Sequence, residues 1–178
     1  MINRIIVGTM TWGKWGKNLS IKEMSDKIKF CFDHALNTFD HADIYGGYTT
    51  ESEFGKAFKL SGINRKDLFF ISKCGIQYPC DSNNLAVKHY NYSKQHIINS
   101  VNNSLSNLNT GYLDLLLLHR PSPLMNTDII SDAVDELVKQ GKIKDFGVSN
   151  FKPSHIELLS KNINISWNQI EFSISNSS

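Results

Sequence analysis

The sequence predicts an α/β protein whose repeated βα units build a parallel sheet, and three observations support this. Short β-branched or aromatic runs alternate with longer amphipathic stretches along the chain. Six of these runs, residues 4–8, 38–41, 68–73, 113–119, 145–149 and 167–172, are apolar enough on both faces to be buried barrel strands. No repeat of fixed period and no linker divides the chain, so residues 1–178 are expected to form one domain.

The intervening helices follow in order. Residues 20–37 carry Ile21, Met24, Ile28, Cys31, Phe32 and Ala35 on one side, with Ser20 as the expected N-cap. A second helix is expected over 51–60. A third spans 93–108, opening at Ser93 and burying Ile97, Val101, Leu105 and Leu108. Residues 128–140 end at Gly141, a residue suited to a left-handed stop, and residues 153–160 begin with Pro153 in the first turn.

Composition narrows the function classes. With 40% hydrophobic and 20% charged residues, the 178-residue chain has enough apolar material for a core and too much polarity for a membrane protein. Its net charge of +2 is interleaved, as in Lys139, Lys142 and Lys144 beside Asp135, Glu136 and Asp145, so neither nucleic acid nor an acidic membrane is an expected partner. Cys31, Cys74 and Cys80 match neither zinc-ligand nor redox spacing, which fits a reduced, cytoplasmic setting. The apolar runs are too short for a secretory leader or a membrane span.

Polar residues collect where strands end, the place where a βα barrel builds its active site. The second strand runs into Asp40-His41-Ala42-Asp43-Ile44-Tyr45-Gly46-Gly47-Tyr48 and the third into Ser72-Lys73-Cys74-Gly75-Ile76. The fourth ends in Leu118-His119-Arg120-Pro121, the fifth in Gly147-Val148-Ser149-Asn150-Phe151, and the sixth contains Asn168-Gln169-Ile170-Glu171. Five motifs in this order, on successive strands, resemble the aldo-keto reductase superfamily, and within it a bacterial-type oxidoreductase branch.

The resemblance implies a (β/α)₈ TIM-barrel type fold, with about six of the eight βα units present, and reduction of aldehyde or ketone carbonyls to alcohols by hydride from NADPH, with NADH as the competing cofactor. It places the catalytic tetrad on Asp40, Tyr45, Lys73 and His119. The residue types suit the roles. A tyrosine hydroxyl, with an ordinary pKa near ~10, is a poor acid at neutral pH unless a neighbouring ammonium favours its phenolate. Lys73 would supply that charge, Asp40 would hold Lys73 in place, and His119 would hydrogen-bond the carbonyl oxygen. The resemblance further implies that Ser149, Asn150 and Gln169 hold the nicotinamide carboxamide and that Gly8, Thr9 and Met10 lie under the cofactor. Trp12 and Tyr48 are expected in the wall of the substrate pocket.

Plainer readings stand beside these. A single Asp, Lys or His at a strand end is commonly a solvated cap, Gly8 permits a tight strand exit, and Trp12 and Tyr48 suit rim packing. His41, Asp43 and His119 are metal-ligand types, but Lys73 and Tyr45 would crowd a cation, so no metal is expected. A whole barrel takes about 250 residues, whereas this chain stops at Asn176-Ser177-Ser178, just past the sixth strand. A truncated gene product or partial sequence is therefore expected, with open barrel edges prone to self-association. The competing reading is a non-catalytic remnant or a cofactor-sensing interaction module, of the kind that aldo-keto-reductase-like channel subunits provide.

Overall fold

The computed structural model describes residues 4–81 and 83–173; the first three residues and the last five, which the one-domain expectation includes, lie outside the described residues. The elements are β1 (Val7–Gly8), α1 (Ile21–Asp33), β2 (Thr38–Asp40), the single turn α2 (Tyr45–Tyr48), α3 (Thr50–Ser61), a 3₁₀ turn at Arg65–Asp67, and β3 (Phe69–Cys74). After these come β4 (Ile76–Gln77), β5 (His89–Tyr90), α4 (Lys94–Asn107), β6 (Leu115–Leu118), α5 (Thr127–Lys139), β7 (Phe146–Ser149), α6 (Pro153–Leu159) and β8 (Trp167–Gln169). Six strands form one parallel sheet in the order β1-β2-β3-β6-β7-β8, an incomplete barrel, while β4 and β5 pair as a separate antiparallel hairpin.

Side-chain alternation divides the sheet into two faces. Phe39, Phe70, Leu116, Leu118, Phe146 and Val148 point to the helices, where Met24, Ile28, Phe54, Ile97, Val101, Ile130 and Leu137 complete the main core. Ile71, Leu115 and Leu117 face the barrel interior with Phe69 and Trp167. This inner layer demands close strands. A Cβ on Gly147 would stand 2.6 Å from the Trp167 carbonyl oxygen and 2.9 Å from Leu117 Cδ2, so only glycine fits between them.

Local signals place the helices. Ser20 accepts from the Glu23 amide at 3.3 Å and donates its own backbone N–H to the Glu23 carboxylate at 2.8 Å, the reciprocal capping box that starts α1. Ser93 accepts from His96 N at 3.3 Å to start α4, and Pro153 occupies the first turn of α6. Helix α1 ends at Asp33, short of the expected residue 37, because the chain turns at Ala35 with φ +57°.

The terminal strands depart from expectation. Among the described residues the strands themselves cover Val7–Gly8 and Trp167–Gln169, shorter than residues 4–8 and 167–172, with Ser173 in a separate bridge. Gly8 and Asn168 are exposed, as are Ile170 (59%) and Phe172 (73%), so these two runs are not strands buried on both faces. Each has a sheet neighbour on one side only among the described residues, which leaves part of its surface in water.

Candidate active site

The parallel register sets the strand ends along one edge. Gly8 pairs with Asp40, Asp40 with Ile71, Lys73 with Leu117, Leu118 with Val148, and Ser149 with Gln169. Asp40, Tyr45, Lys73 and His119 converge there on a cleft of about 490 Å³. All four are buried: Lys73 is 2% exposed, His119 6%, Asp40 and Tyr45 8% each.

Lys73 is the hub of the site. Its Nζ donates to Asp40 Oδ1 at 2.7 Å and Oδ2 at 2.8 Å, to the His41 carbonyl at 2.8 Å, and to the Tyr45 hydroxyl oxygen at 3.0 Å. A buried ammonium needs such a partner set, because desolvating an unpaired charge is costly. Tyr45 reaches Lys73 through a turn that demands glycine: Gly46 and Gly47 take φ of +64° and +68°.

The His119 and Tyr45 rings meet in a T-shaped arrangement, with centroids 6.0 Å apart. Burial, then the positive charges of Lys73, Arg120 and Lys88, lower its pKa to about 3, so the ring is neutral at physiological pH. Tyr92 braces the segment that carries it. The Tyr92 hydroxyl donates to the Arg120 carbonyl oxygen and accepts from the Arg120 amide at 3.3 Å. The Tyr92 ring occupies the space where a Cβ on Gly75 would lie.

The remaining sequence candidates separate. Met10, Ser149, Asn150 and Gln169 line the cleft. Gly8 borders open space, since a Cβ there would meet nothing within 4 Å. Thr9 is fully buried, and its hydroxyl donates to the Asp40 carbonyl at 2.8 Å and lies 3.0 Å from His41 Nδ1. Its side chain therefore props the scaffold and is not on the cleft.

Trp12 and Tyr48 are not on the cleft either, which corrects the expectation of a pocket wall. Trp12 packs in the core against Phe39 and Phe54, at centroid distances of 6.2 and 6.0 Å. Tyr48 accepts from the Tyr78 amide at 2.9 Å and lines a neighbouring cavity that Asp43, Glu51 and α4 border. The aromatic wall is instead Trp15, Tyr78 and Tyr90, with Lys88 and Arg120 beside it. Trp15 meets Tyr45 at 6.3 Å and Tyr78 at 5.2 Å. Only Arg120 had a sequence signal, its place in Leu118-His119-Arg120-Pro121; the others depend on how loops fold back.

The three metal-ligand candidates point apart. His41 lies between Phe54 and Phe70, Asp43 accepts from Ser100 Oγ at 2.7 Å, and His119 faces the cleft. No group of three or more His, Cys, Asp or Glu is arranged to hold a metal among the described residues. Because the Thr9 hydroxyl hydrogen goes to Asp40, His41 Nδ1 is the donor to Thr9 Oγ1. Burial foremost, with Lys73 and Arg65, lowers the pKa of His41 to about 3.

The sequence model described as the Aldo/keto reductase family matches residues 4–178. The chain belongs to this family. It is 43% identical to the uncharacterized oxidoreductase YcsN of Bacillus subtilis, with 96% of this chain and 57% of the relative covered. It is 39% identical to the 6-dehydroglucose reductase of Agrobacterium fabrum, covering 97% of this chain and 59% of that one. The thermostable aldo-keto reductase Tm1743 superposes with a TM-score of 0.80 at 29% identity, over 98% of this chain and 60% of its own. The holo form of aldo-keto reductase AKR11C1 from Bacillus halodurans gives 0.83 at 26% identity, over 97% and 54%. The chain thus spans a little under three-fifths of the length of these curated relatives.

Proposed function

We propose that the cleft reduces aldehyde or ketone carbonyls to alcohols, with NADPH as hydride donor and Tyr45 as general acid. One observation carries this reading: Lys73 bonds Asp40 and Tyr45 together inside a buried cleft. An ammonium only donates, so the Tyr45 oxygen accepts from Lys73 and its own hydrogen is left for a substrate carbonyl oxygen. As that proton leaves, the phenolate forms beside a positive charge already held by Asp40, and little reorganisation is needed. His119, neutral, acts as a hydrogen-bond partner and not as the proton source.

The residues present fit a nicotinamide. The half-buried Gln169 side chain makes no hydrogen bond among the described residues, and Ser149 and Asn150 lie beside it at the ends of neighbouring strands. An amide offers both donor and acceptor, so Asn150 and Gln169 would hold the carboxamide in one orientation. When bound, the nicotinamide would supply the hydride that the carbonyl carbon takes up. Met10 and the open space at Gly8 would lie under it.

The test is a fluorescence titration of the full chain with NADPH and NADH, followed by aldehyde-dependent loss of NADPH absorbance. Saturable binding that favours NADPH, with turnover, is the expected result. A folded, soluble chain that binds neither nucleotide and oxidises no NADPH across an aldehyde panel would reject it. Binding without turnover would favour the cofactor-sensing alternative.

A further inference from the structure

The charges around the cleft are unbalanced in a way that the reduction chemistry does not use. Asp40, the carboxylate within the group of four, spends both oxygens on Lys73. Two more cations line the same cleft, Lys88 and Arg120. Arg120 is held in place by one nitrogen: its Nη1 donates to the His119 carbonyl at 2.8 Å and to Ser149 Oγ at 3.3 Å. Its Nε and Nη2 make no hydrogen bond among the described residues, so the rest of the guanidinium fork is available. Lys88 is exposed at the rim and forms no ion pair among the described residues. Glu171, the other acid lining the cleft, is exposed and pairs with neither cation.

Both charges are felt where the carbonyl would sit. Lys73, Arg120 and Lys88 are the three cations that act on the His119 ring. An anchored guanidinium with open donors matches the planar oxygens of a carboxylate or the oxygens of a phosphate, and a nearby ammonium adds a second, mobile charge. We propose that the substrate of this cleft is a short aldehyde or ketone that carries an anionic group, held by Arg120 and Lys88 while its carbonyl lies against Tyr45. This rests on the carbonyl-reduction reading of the site and adds the substrate class to it. The cleft volume of about 490 Å³ keeps the substrate small, because the nicotinamide shares the space.

The experiment compares two matched pairs on the full chain with NADPH present: succinic semialdehyde against butanal, and glyceraldehyde 3-phosphate against glyceraldehyde. Binding is read from fluorescence of Trp15, which touches Tyr45 and Tyr78, and turnover from NADPH absorbance. At low ionic strength the anionic member of at least one pair should bind ~10-fold or more tighter than its neutral partner, the scale of a charge-assisted contact. Which pair shows the preference separates carboxylate from phosphate. The preference should shrink as salt approaches ~1 M, where screening is nearly complete over atomic distances. In Lys88→Met and Arg120→Gln the anionic-to-neutral ratio should collapse toward one, with Arg120→Lys retaining part of it.

Equal affinity for both members of each pair, with turnover intact, overturns this proposal and leaves the reduction reading standing. An anion preference without turnover overturns the reduction reading and the substrate assignment with it, and leaves Arg120 and Lys88 as an anion-binding pair. Failure of all four compounds to bind, or loss of NADPH affinity in Lys88→Met with the substrate ratio unchanged, also overturns it; the second result would assign the cations to the cofactor's phosphates.

Discussion

Tyr45 is held by contacts that its hydroxyl does not supply, since its ring meets Trp15 and His119. Tyr45→Phe should therefore keep the cleft and nicotinamide affinity while lowering kcat by ~10² or more, the contribution of a positioned general acid; unchanged turnover would remove Tyr45 from the mechanism. Lys73→Met leaves Asp40 buried without its cation and should abolish reduction in a way that raising the pH does not rescue. Buried titratable residues also set how stability depends on pH. Unfolded histidine titrates near ~6.5, whereas His41 and His119 are held to about 3. Between those values the unfolded chain binds more protons, so stability falls as pH drops below ~6.5, by up to about 1.4 kcal/mol per pH unit for each histidine. Asp43 has the opposite sign. Burial raises its pKa to about 8, with Glu51 adding to the shift, so the folded chain binds more protons than the unfolded one between ~4 and 8, and stability falls as pH rises through that range. From these three groups the optimum lies near pH ~6.5, and in urea denaturation Asp43→Asn should remove the decline between there and pH 8. The four residues that converge on the cleft were legible one by one because each stands in a short motif at a strand end. Trp12 was misplaced because an aromatic just past a strand can turn either to the core or to the cleft, and nothing local decides which.

Two elements carry testable weight. Ser20→Ala removes half of the reciprocal cap on α1 and should cost about 1 kcal/mol, a common value for an N-cap serine. Gly147→Ala forces a methyl into contacts of 2.6 and 2.7 Å with Trp167 and 2.9 Å with Leu117. Overpacking of that kind costs about 1–3 kcal/mol, and it would part β7 from β8, the strands that carry Ser149 and Gln169. Thermal unfolding measures both; a Gly147→Ala variant as stable as wild type would show that β8 is not held in this register. Caps and stripes made α1, α4 and α5 readable to within a few residues. The β4–β5 hairpin was not readable, because strands of two residues carry no alternation pattern.

At the scale of the molecule, β1 and β8 are the outer strands of the sheet among the described residues, with Ile6, Ile170 and Phe172 exposed beside them at 38%, 59% and 73%. Unpaired N–H and C=O groups next to apolar side chains favour strand pairing between chains. Sedimentation velocity should show self-association that grows with concentration, and Ile6→Lys with Phe172→Lys should shift it toward monomer. A wild-type chain that stays monomeric across that range would count against open edges. By itself, the sequence determined the βα order and the family and singled out the four candidate residues, because these are written in local periodicity and in short motifs. The tertiary structure decided which side chains share the cleft. Lys73 meets Asp40 and Tyr45 only when parallel register aligns residues 33 and 28 positions apart. Likewise Trp15, Tyr78, Lys88 and Tyr90 reach the cleft only because the loops after β1 and β3 fold over the strand ends, a placement governed by long-range packing that neither pattern nor motif records.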